Sequence, residues 1–269
     1  MKKIQKMIGL IGSGNMGSAI LAGLIKNRIA PRNQIYVYDG VRSKMNSVSR
    51  NFGVKGAKNN RDLVRKTKII LLAVKPQDLR RVGEEIRNAL TSNHVVISIL
   101  AGTPVQKLKR VLGTKPLLVR AMPNLGARVG EAITAITSTS RSALRFAQII
   151  FSGCGEVIQL PEKHFDLVTA VSGSGPAYFF LMMELLAKAA ERRGISKQAA
   201  RLLAVQTALG AARLAHEASD SPERLRKKVT SKKGTTDAAL RYLWKKKFPS
   251  IFSGAIDQAV KRARQLSKL

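Results

Sequence analysis

A glycine-rich turn near the start of the chain constrains its fold more than any other feature. A short apolar run, Met7 to Ile11, leads into the pattern G-x-G-x-x-G, and a helix-like stretch from Ala19 to Lys26 follows directly. This fingerprint is informative only when a strand precedes the glycines and a helix follows them, and both are present here. The pattern therefore predicts a strand–turn–helix unit that binds a dinucleotide.

Each glycine of the fingerprint is required at its position for a different physical reason. Gly12 tolerates a positive φ, so the chain can turn tightly after the strand. Gly14 has no Cβ, so a pyrophosphate can approach the backbone, and Gly17 lets the new helix lie close to the strand. Unpaired N–H groups and the positive end of the helix then face the phosphates. The candidate phosphate-binding residues are Gly12, Ser13, Gly14, Asn15, Met16 and Gly17.

An acidic residue stands where the ribose of a bound dinucleotide is expected. The run Ile35 to Tyr38 predicts a second strand, and Asp39 at its carboxyl end lies about 20 positions past the last fingerprint glycine. A carboxylate there accepts a hydrogen bond from a ribose 2′-hydroxyl, which favours NADH, although a simple turn before Gly40 is the alternative. Arg42 and Lys44 are instead suited to a 2′-phosphate. The sequence therefore predicts NADPH or NADH as the cofactor without a choice between them.

The composition is that of a globular protein without internal disulfides. The chain has 269 residues, of which 45% are hydrophobic, enough for a sizeable core and one or two domains. Cys154 is the single cysteine, which is typical of a reducing, cytoplasmic compartment. The longest apolar candidate for a membrane span, near Phe179 to Ala190, contains Glu184 and Lys188, so we expect no span. The histidines, His94, His164 and His216, are too scattered to suggest a metal site.

The charge of the chain is unusual. Forty-eight lysines and arginines against 16 acidic residues give a formal net charge of +32. A basic surface attracts polyanions such as nucleic acid. The basic runs 224–228 and 245–247 have few interleaved aromatic residues on which bases would stack. We therefore expect nucleic acid to bind only nonspecifically, and we keep a basic nucleic-acid-binding protein on a dinucleotide-type scaffold as an alternative of another class.

The chain divides into an alternating part and a helical part. Over residues 1–161, short apolar strands alternate with helix-like stretches, which predicts a doubly wound α/β domain with a parallel sheet. Over residues 162–269 only helical patterns occur, which predicts a second, all-helical domain. The further predicted strands are Ile69–Val74, Val95–Ile99, Leu117–Val119, Ala132–Ile136 and Glu156–Leu160, and the predicted helices include Gln77–Leu90, Pro104–Leu112, Phe165–Arg193, Lys197–Ala218, Thr235–Lys245 and Ser250–Lys268.

Polar loops in both parts are suited to ligand binding. Ligands of a doubly wound sheet lie outside the carboxyl ends of its strands, where Lys75 and Asn124 are expected. Lys75 is either a charge near phosphate or nicotinamide or a solvated lysine. In the helical part, the loop 230–237 opens a helix whose free N–H groups suit an anion such as a carboxylate. An ordinary helix cap is the alternative for this loop.

Five segments, spread in order over nearly the whole chain, carry a resemblance to a known family. They are residues 11–17, 73–76, 120–124, 172–178 and 229–236, which read IGSGNMG, AVKP, RAMPN, SGSGPAY and VTSKKGTT. Together they resemble pyrroline-5-carboxylate reductases, and the last two segments are the most specific. The resemblance implies an N-terminal Rossmann domain, a C-terminal helical dimerisation domain and a homodimer or larger homo-oligomer, with each active site near the dimer interface.

The resemblance also implies roles for individual residues. The implied cofactor contacts are Asn60, Ala73, Val74 and Lys75, with Ala101 near the nicotinamide. The implied substrate residues are Glu162, Ser231, Gly234, Thr235 and Thr236. In this assignment the loop amides and Ser231 bind the substrate carboxylate. The Thr236 hydroxyl faces the ring nitrogen as the catalytic group.

The implied reaction is the NAD(P)H-dependent reduction of 1-pyrroline-5-carboxylate to L-proline by hydride transfer to the imine carbon. A related imine or β-hydroxyacid reductase with another small substrate is the alternative. The sequence departs from the family pattern at two places, and both bear on which substrate is reduced more than on the type of reaction. Lys232-Lys233 replaces the usual proline and glycine of S-P-G-G-x-T, and Leu125-Gly126 follows Asn124 where the family usually has Thr-Pro.

Overall fold

Alternating strands and helices form the first part of the chain, as predicted. The computed structural model describes residues 3–268. The strands are β1 (Ile8–Ile11), β2 (Ile35–Tyr38), β3 (Lys55–Gly56), β4 (Ile69–Leu72), β5 (Val95–Ser98), β6 (Leu117–Met122), β7 (Ala132–Thr137) and β8 (Gly155–Gln159). The helices between and after them are α1 (Asn15–Lys26), α2 (Arg42–Phe52), α3 (Asn60–Lys66), α4 (Leu79–Ile86), α5 (Val105–Leu112), α6 (Arg141–Phe151) and α7 (Phe165–Val168).

Within the described residues the strands form one eight-stranded sheet, in the order β3-β2-β1-β4-β5-β6-β7-β8. Strand β1 is parallel to both of its neighbours, so that Ile8 lies opposite Ile35 of β2 and Ile69 of β4. The chain thus winds outward from β1 to β3 and then crosses to β4 on the other side. This reversal confirms the doubly wound prediction, and it marks the place where such sheets bind ligands.

The last two strands run against the others, so the predicted parallel sheet has an antiparallel pairing at one place. Strands β6 and β7 are antiparallel, with Ala121 opposite Ile136, whereas β7 and β8 are parallel to each other. The short connection 123–131, which contains a 3-10 turn, joins β6 to β7. A parallel return needs a crossover of about a dozen residues or more, so this connection allows only the antiparallel pairing.

Helices cover both faces of the sheet because its inner strands are apolar on both sides. In β4, Ile69 and Leu71 belong to one buried cluster with side chains of α1 and α6. The alternate residues Ile70 and Leu72 belong to a second cluster with side chains of α3, α4 and α5. Near-continuous apolar runs are typical of such doubly covered parallel strands.

Two predicted helices are interrupted. The predicted helix 77–90 consists of α4 between 3-10 turns at Pro76–Asp78 and Arg87–Ala89. The predicted helix 165–193 consists of α7, a π-helical turn at Thr169–Gly173, and a new helix that starts at Gly175 and carries Pro176 in its first turn. Proline has no N–H to donate to the preceding turn, so the regular helix restarts at this point.

Residues Ser174–Gln258 form a second compact unit that is helical throughout, as predicted. Its helices are α8 (Gly175–Glu191), α9 (Lys197–Glu217), α10 (Pro222–Lys228), α11 (Thr235–Lys245) and the first part of α12 (Phe248–Lys268). Helices α8 and α9 lie against each other. Large apolar side chains remain exposed on both, namely Phe179, Phe180, Leu181, Leu185, Leu186, Leu202 and Leu203. A contiguous apolar surface of this kind is typical of a contact with another protein chain.

One helical run of the described residues meets the length and composition required to cross a membrane. It spans Glu162–Glu191, and its most apolar window has a mean hydropathy of 1.2 and is 11% buried. A single such run is weak evidence, because a helix that packs on another protein chain has a similar composition. The expected absence of a membrane span stays a prediction.

The predicted boundary between residues 161 and 162 also stays a prediction. Packing assigns the residues up to Gly173, together with those from Ala259 onward, to the unit that contains the sheet. Phe165 of α7 is fully buried, and the Ser267 hydroxyl donates to Oδ1 of Asp166 at 3.0 Å. Both ends of the helical part therefore contribute to the packing of the sheet unit.

Candidate active site

The loop after β1 has the shape of a phosphate-binding turn. Gly12 has a φ of 93°, and a Cβ on it would lie 2.7 Å from the carbonyl oxygen of Ala73, so only glycine fits. Gly14 is exposed, and a Cβ there would meet nothing within 4 Å. Gly14 also precedes α1 without a side-chain cap, so the N–H groups of the first turn are available to an anion. That first turn contains the predicted residues Asn15, Met16 and Gly17.

Asp39, at the carboxyl end of β2, is held by three hydrogen bonds. Its Oδ2 accepts from the backbone N–H of Ser13 at 2.7 Å and from the Ser13 hydroxyl at 2.9 Å. Its Oδ1 accepts from the backbone N–H of Val41 at 2.9 Å. Partial burial by itself raises the pKa of Asp39, but these hydrogen bonds and the charge of Lys44 outweigh it and hold the pKa below its ordinary value. The carboxylate is therefore charged and fixed at neutral pH.

A cavity of about 560 Å³, called the first cavity below, lies beside the fingerprint loop. It opens at the carboxyl ends of β1, β2 and β4, where the strand order reverses. Seven of the predicted cofactor residues line it, namely Gly12, Gly14, Asp39, Asn60, Ala73, Val74 and Lys75. The fold thus brings together loops that are up to about 60 positions apart in the chain, as expected at a reversal of strand order.

Asn60, the first residue of α3, carries a buried oxygen without a partner. The residue is 2% exposed, and its Nδ2 donates to Oε2 of Glu85 at 2.7 Å. Because a carboxylate only accepts hydrogen bonds, this contact fixes the amide with its nitrogen toward Glu85. The Oδ1 of Asn60 has no partner among the described residues. Such an acceptor costs roughly 1–3 kcal/mol when it is left unpaired, so a ligand that donates a hydrogen bond fits this wall of the first cavity.

A second cavity of about 370 Å³ adjoins the first and shares Ala73, Val74 and Lys75 with it. It lies at the carboxyl ends of β4, β5 and β6. Its other lining residues include Met16, Ile99, Ala101, Met122, Pro123, Asn124 and Leu125. Lys75 is the single ionisable side chain among the described residues that line it. The second cavity is therefore a mostly apolar space next to the first cavity.

Glu162 forms an ion pair with a buried arginine. Oε1 of Glu162 lies 3.2 Å from Nη1 of Arg120 and also accepts from the backbone N–H of Val105 at 2.7 Å. Arg120 is 4% exposed, and its guanidinium stacks 4.7 Å above the ring of Phe165. Burial lowers the pKa of Arg120 by more than Glu162 restores. One carboxylate oxygen of Glu162 is thus engaged within the protein, and its contact with substrate stays a prediction.

The loop before α11 brings the predicted substrate residues of the second unit together. The N–H of Gly234 donates to the carbonyl of Ser231 at 3.0 Å, which closes a tight turn. Gly234 precedes α11 without a side-chain cap, and Thr235 and Thr236 are the first two residues of the helix. Their backbone N–H groups therefore have no partner within the helix. This arrangement suits the carboxylate of a small ligand.

Lys233, one of the two departures in this loop, adopts a conformation that favours glycine. Its φ is 60°, and a residue with a side chain loses roughly 1–2 kcal/mol in the left-handed region. The N–H of Lys233 donates to Oδ2 of Asp237 at 2.9 Å, and Asp237 also pairs with Arg241. The loop therefore keeps the turn that glycine provides in the family pattern, at the expense of backbone strain.

Three residues of this region make contacts that the sequence does not reveal. Arg81 and Glu85 form an ordinary i,i+4 pair on α4, with Nη1 and Oε1 separated by 3.2 Å, and only the structure places Glu85 against Asn60. Arg120 lies inside an apolar strand, and its partner is 42 positions away. Among residues 3–268, no group of three or more histidine, cysteine or acidic side chains is arranged to hold a metal ion.

Comparison with known proteins adds independent evidence. Residues 162–266 match a family model described as pyrroline-5-carboxylate reductase dimerisation. Residues 7–102 match a model described as NADP oxidoreductase, coenzyme F420-dependent. The chain is similar to the pyrroline-5-carboxylate reductase of Methanosarcina acetivorans, with 37% identity over 267 residues, which are 98% of this chain and 99% of that relative.

Solved structures show the same similarity. A pyrroline-5-carboxylate reductase from Coxiella burnetii has a TM-score of 0.92 at 36% identity, covering 99% of this chain and 100% of that one. The pyrroline carboxylate reductase of Plasmodium falciparum, determined with NADP bound, has a TM-score of 0.88 at 28% identity, covering 98% and 99%. The predicted fold, a Rossmann-type sheet domain followed by a helical dimerisation domain, is thereby confirmed.

Proposed function

The chain belongs to the pyrroline-5-carboxylate reductase family, and from this premise we propose that it reduces 1-pyrroline-5-carboxylate to L-proline with NADPH or NADH. It is an NAD(P)H-dependent oxidoreductase of proline biosynthesis. The observation that carries this function is the pair of adjoining cavities at the reversal of strand order. The first is lined by the fingerprint loop and the fixed carboxylate, and the second is an apolar chamber of the size that a small ring requires.

The lining of the second cavity suits hydride transfer better than acid–base chemistry. Reduction of a C=N bond needs a hydride on the carbon and a proton on the nitrogen. A protonated imine already carries that proton, so no general acid is required, and Lys75 is the single ionisable side chain among the described lining residues. When bound, the reduced nicotinamide supplies the hydride. The apolar walls, including Met16, Ile99 and Met122, present few polar groups to the reacting carbon.

The residues of the sheet unit hold the cofactor. The residues proposed for this role are Gly12, Ser13, Gly14, Asn15, Met16, Gly17, Asp39, Asn60, Ala73, Val74, Lys75 and Ala101. Ser13 is not part of either cavity lining, and it acts through the carboxylate of Asp39, to which its N–H and its hydroxyl both donate. The open space above Gly14, the free first-turn donors of α1 and the unpartnered oxygen of Asn60 support this assignment.

The loop before α11 holds the substrate carboxylate. In this proposal the N–H groups of Thr235 and Thr236 and the hydroxyl of Ser231 donate to it, with Gly234 closing the turn. The Thr236 hydroxyl faces the ring nitrogen and orients the imine, and Glu162 is proposed as a further substrate contact. Correct orientation of the reacting atoms is the main contribution of such residues to the rate.

The protein is a homo-oligomer, as its dimerisation model indicates. We propose a homodimer, or a larger assembly of dimers, in which a second copy covers the exposed apolar side chains of α8 and α9. The assembly acts in the cytoplasm on a small-molecule substrate, without a membrane. Nucleic acid binds to the basic surface only nonspecifically.

An assay of nicotinamide oxidation tests the proposed reaction. Purified protein is mixed with NADPH or NADH and 1-pyrroline-5-carboxylate, in salt high enough to suppress nonspecific binding. The expected result is loss of the reduced-nicotinamide absorbance with one proline formed per cofactor oxidised. Other cyclic imines and β-hydroxyacids are then compared by kcat/KM. A faster reaction with one of these would support the alternative reductase, and no reaction from folded protein that binds dinucleotide would contradict the proposal.

A further inference from the structure

The ribose side of the first cavity presents a carboxylate that accepts hydrogen bonds but donates none. Asp39 stands at the end of β2, where the 2′ position of a bound adenosine ribose is expected. Its two oxygens accept three hydrogen bonds from Ser13 and Val41. An ionised carboxylate has about four acceptor sites, so one remains for a ligand. That site suits a hydroxyl group, and it repels a phosphate.

The carboxylate cannot turn away to admit a phosphate. Two of its donors are backbone N–H groups, one in the fingerprint loop and one at the start of α2. Ser13 is 6% exposed, so its N–H would lose its partner without gaining water if Asp39 rotated away. The negative charge therefore stays where a 2′-phosphate would have to lie.

Asn60 adds a second acceptor among the residues that line the first cavity. Glu85 holds its amide nitrogen, which leaves Oδ1 as the atom without a partner. This oxygen also accepts a hydrogen bond and donates none. Asp39 and Asn60 thus offer acceptors that match the hydroxyls of an unphosphorylated ribose.

The basic residues of the first cavity offer a 2′-phosphate little compensation. The guanidinium of Arg81 is bound by two carboxylates, Glu85 at 3.2 Å and Asp78 at 3.4 Å. Lys44 is exposed, and its charge acts on Asp39. Lys75 also lines the first cavity, but it follows β4 and is shared with the second cavity, which is proposed for the nicotinamide rather than for the adenosine ribose. Arg42, the other residue suited to a phosphate in the sequence, is exposed on α2 and is not part of the cavity lining.

We propose that Asp39, supported by the acceptor oxygen of Asn60, makes this chain select NADH over NADPH. The description of the family model that matches residues 7–102 names NADP, and the Plasmodium falciparum relative was determined with NADP bound, so selection of NADH distinguishes this chain from both. The inference rests on the proposed function for the identity of the cofactor class. It does not depend on which imine is reduced.

Calorimetric binding of the two cofactors, without substrate, tests the selection. NADH and NADPH are titrated into the wild-type protein, into Asp39→Asn and into Asp257→Asn. The last variant removes the same charge from an exposed position on α12 that does not line the cavity. Wild-type protein is expected to bind NADH at least about tenfold more tightly, a difference of ~1.4 kcal/mol. Asp39→Asn is expected to reduce the ratio about tenfold, mainly by tightening NADPH, and Asp257→Asn to leave it unchanged.

Either of two results would overturn the proposal. Equal or tighter binding of NADPH by the wild-type protein would do so without any variant having to fold. A wild-type preference for NADH that persists in Asp39→Asn would remove Asp39 as its cause. No substrate is present in this titration, so the proposed reaction is tested separately. If the protein selects NADH but does not turn over 1-pyrroline-5-carboxylate, only the proposed reaction is contradicted. If it turns over this substrate but binds NADPH more tightly than NADH, only the proposed selection is contradicted.

Discussion

At the scale of single residues, the candidate site is defined by which polar atoms are engaged and which are left free. Asp39 and one oxygen of Glu162 are tied to the protein, whereas Oδ1 of Asn60 has no partner among the described residues. The sequence identifies these residue types at their positions. It does not reveal their orientation, because each partner belongs to another loop or helix of the fold.

The hydroxyl of Thr236 offers the first test at this scale. Thr236→Val keeps the volume and the β-branch but removes the hydroxyl that orients the imine. We expect kcat to fall about tenfold, ~1.4 kcal/mol of transition-state stabilisation, with the Kd for NADH unchanged. Thr114→Val, at an exposed turn position, serves as the matched control in steady-state kinetics and calorimetry. An unchanged kcat in Thr236→Val would remove this hydroxyl from the mechanism.

Backbone strain at Lys233 gives a second prediction. Glycine adopts the observed φ of 60° without the side-chain penalty, so Lys233→Gly should raise the free energy of unfolding by about 1 kcal/mol. The matched substitution Lys232→Gly, at a residue without positive φ, should give no gain. Urea unfolding of the two variants measures the difference. Equal effects in both would show that the strain is relieved by other parts of the loop.

At the scale of elements, the strands of the inner sheet were predictable because burial on both faces makes them apolar throughout. The antiparallel direction of β7 was not, because β6 was predicted to end at Val119 and in fact extends to Met122. The predicted connection to β7 was therefore long enough for a parallel crossover, whereas the observed one is too short. Helices α2, α3, α6 and α10 are absent from the predicted set. In α2 only Val48 is fully buried, so its sequence lacks the apolar repeat by which helices are identified.

The crossing of α1 with the turn before β8 leads to a prediction at this scale. A Cβ on Gly23 would lie 2.6 Å from both the Cys154 sulfur and the carbonyl oxygen of Gly153. Gly23→Ala should therefore destabilise the fold by about 1–3 kcal/mol. In contrast, a Cβ on Gly254 of α12 would meet nothing within 4 Å, and Gly254→Ala should stabilise it by about 0.5–1 kcal/mol. Thermal unfolding of the two variants measures both changes in stability. A Gly23→Ala variant as stable as the wild type would show that α1 and the turn before β8 can move apart to admit a methyl group.

At the scale of the whole molecule, the sequence predicted two parts of different architecture because hydrophobic periodicity changes after the last strand. The exact division was harder to predict. Phe165 and Ala170 follow the predicted boundary, yet they are buried with the sheet unit. Apolar helix faces look alike in sequence whether they pack within a unit or against another chain, so the exposed face of α8 and α9 became evident only in the structure.

That exposed face predicts the assembly. Sedimentation equilibrium should give a mass of twice 29.3 kDa, or a multiple of that dimer. Phe180→Glu places a charge on the exposed apolar face of α8, and burying it at an interface is unfavourable, so this variant should dissociate to a folded monomer. Gln148→Glu, exposed on α6, adds the same charge elsewhere and should leave the mass unchanged. A wild-type monomer would contradict the proposed assembly.

The transfer of deuterium from cofactor to product tests the central claim most directly. NADH carrying deuterium at both C4 positions of the nicotinamide is incubated with the protein and 1-pyrroline-5-carboxylate, and the proline formed is analysed by mass spectrometry and NMR. Direct hydride transfer in the second cavity predicts one deuterium per proline, on the ring carbon that was double-bonded to nitrogen. Proline without deuterium, or with deuterium at another carbon, would contradict the account.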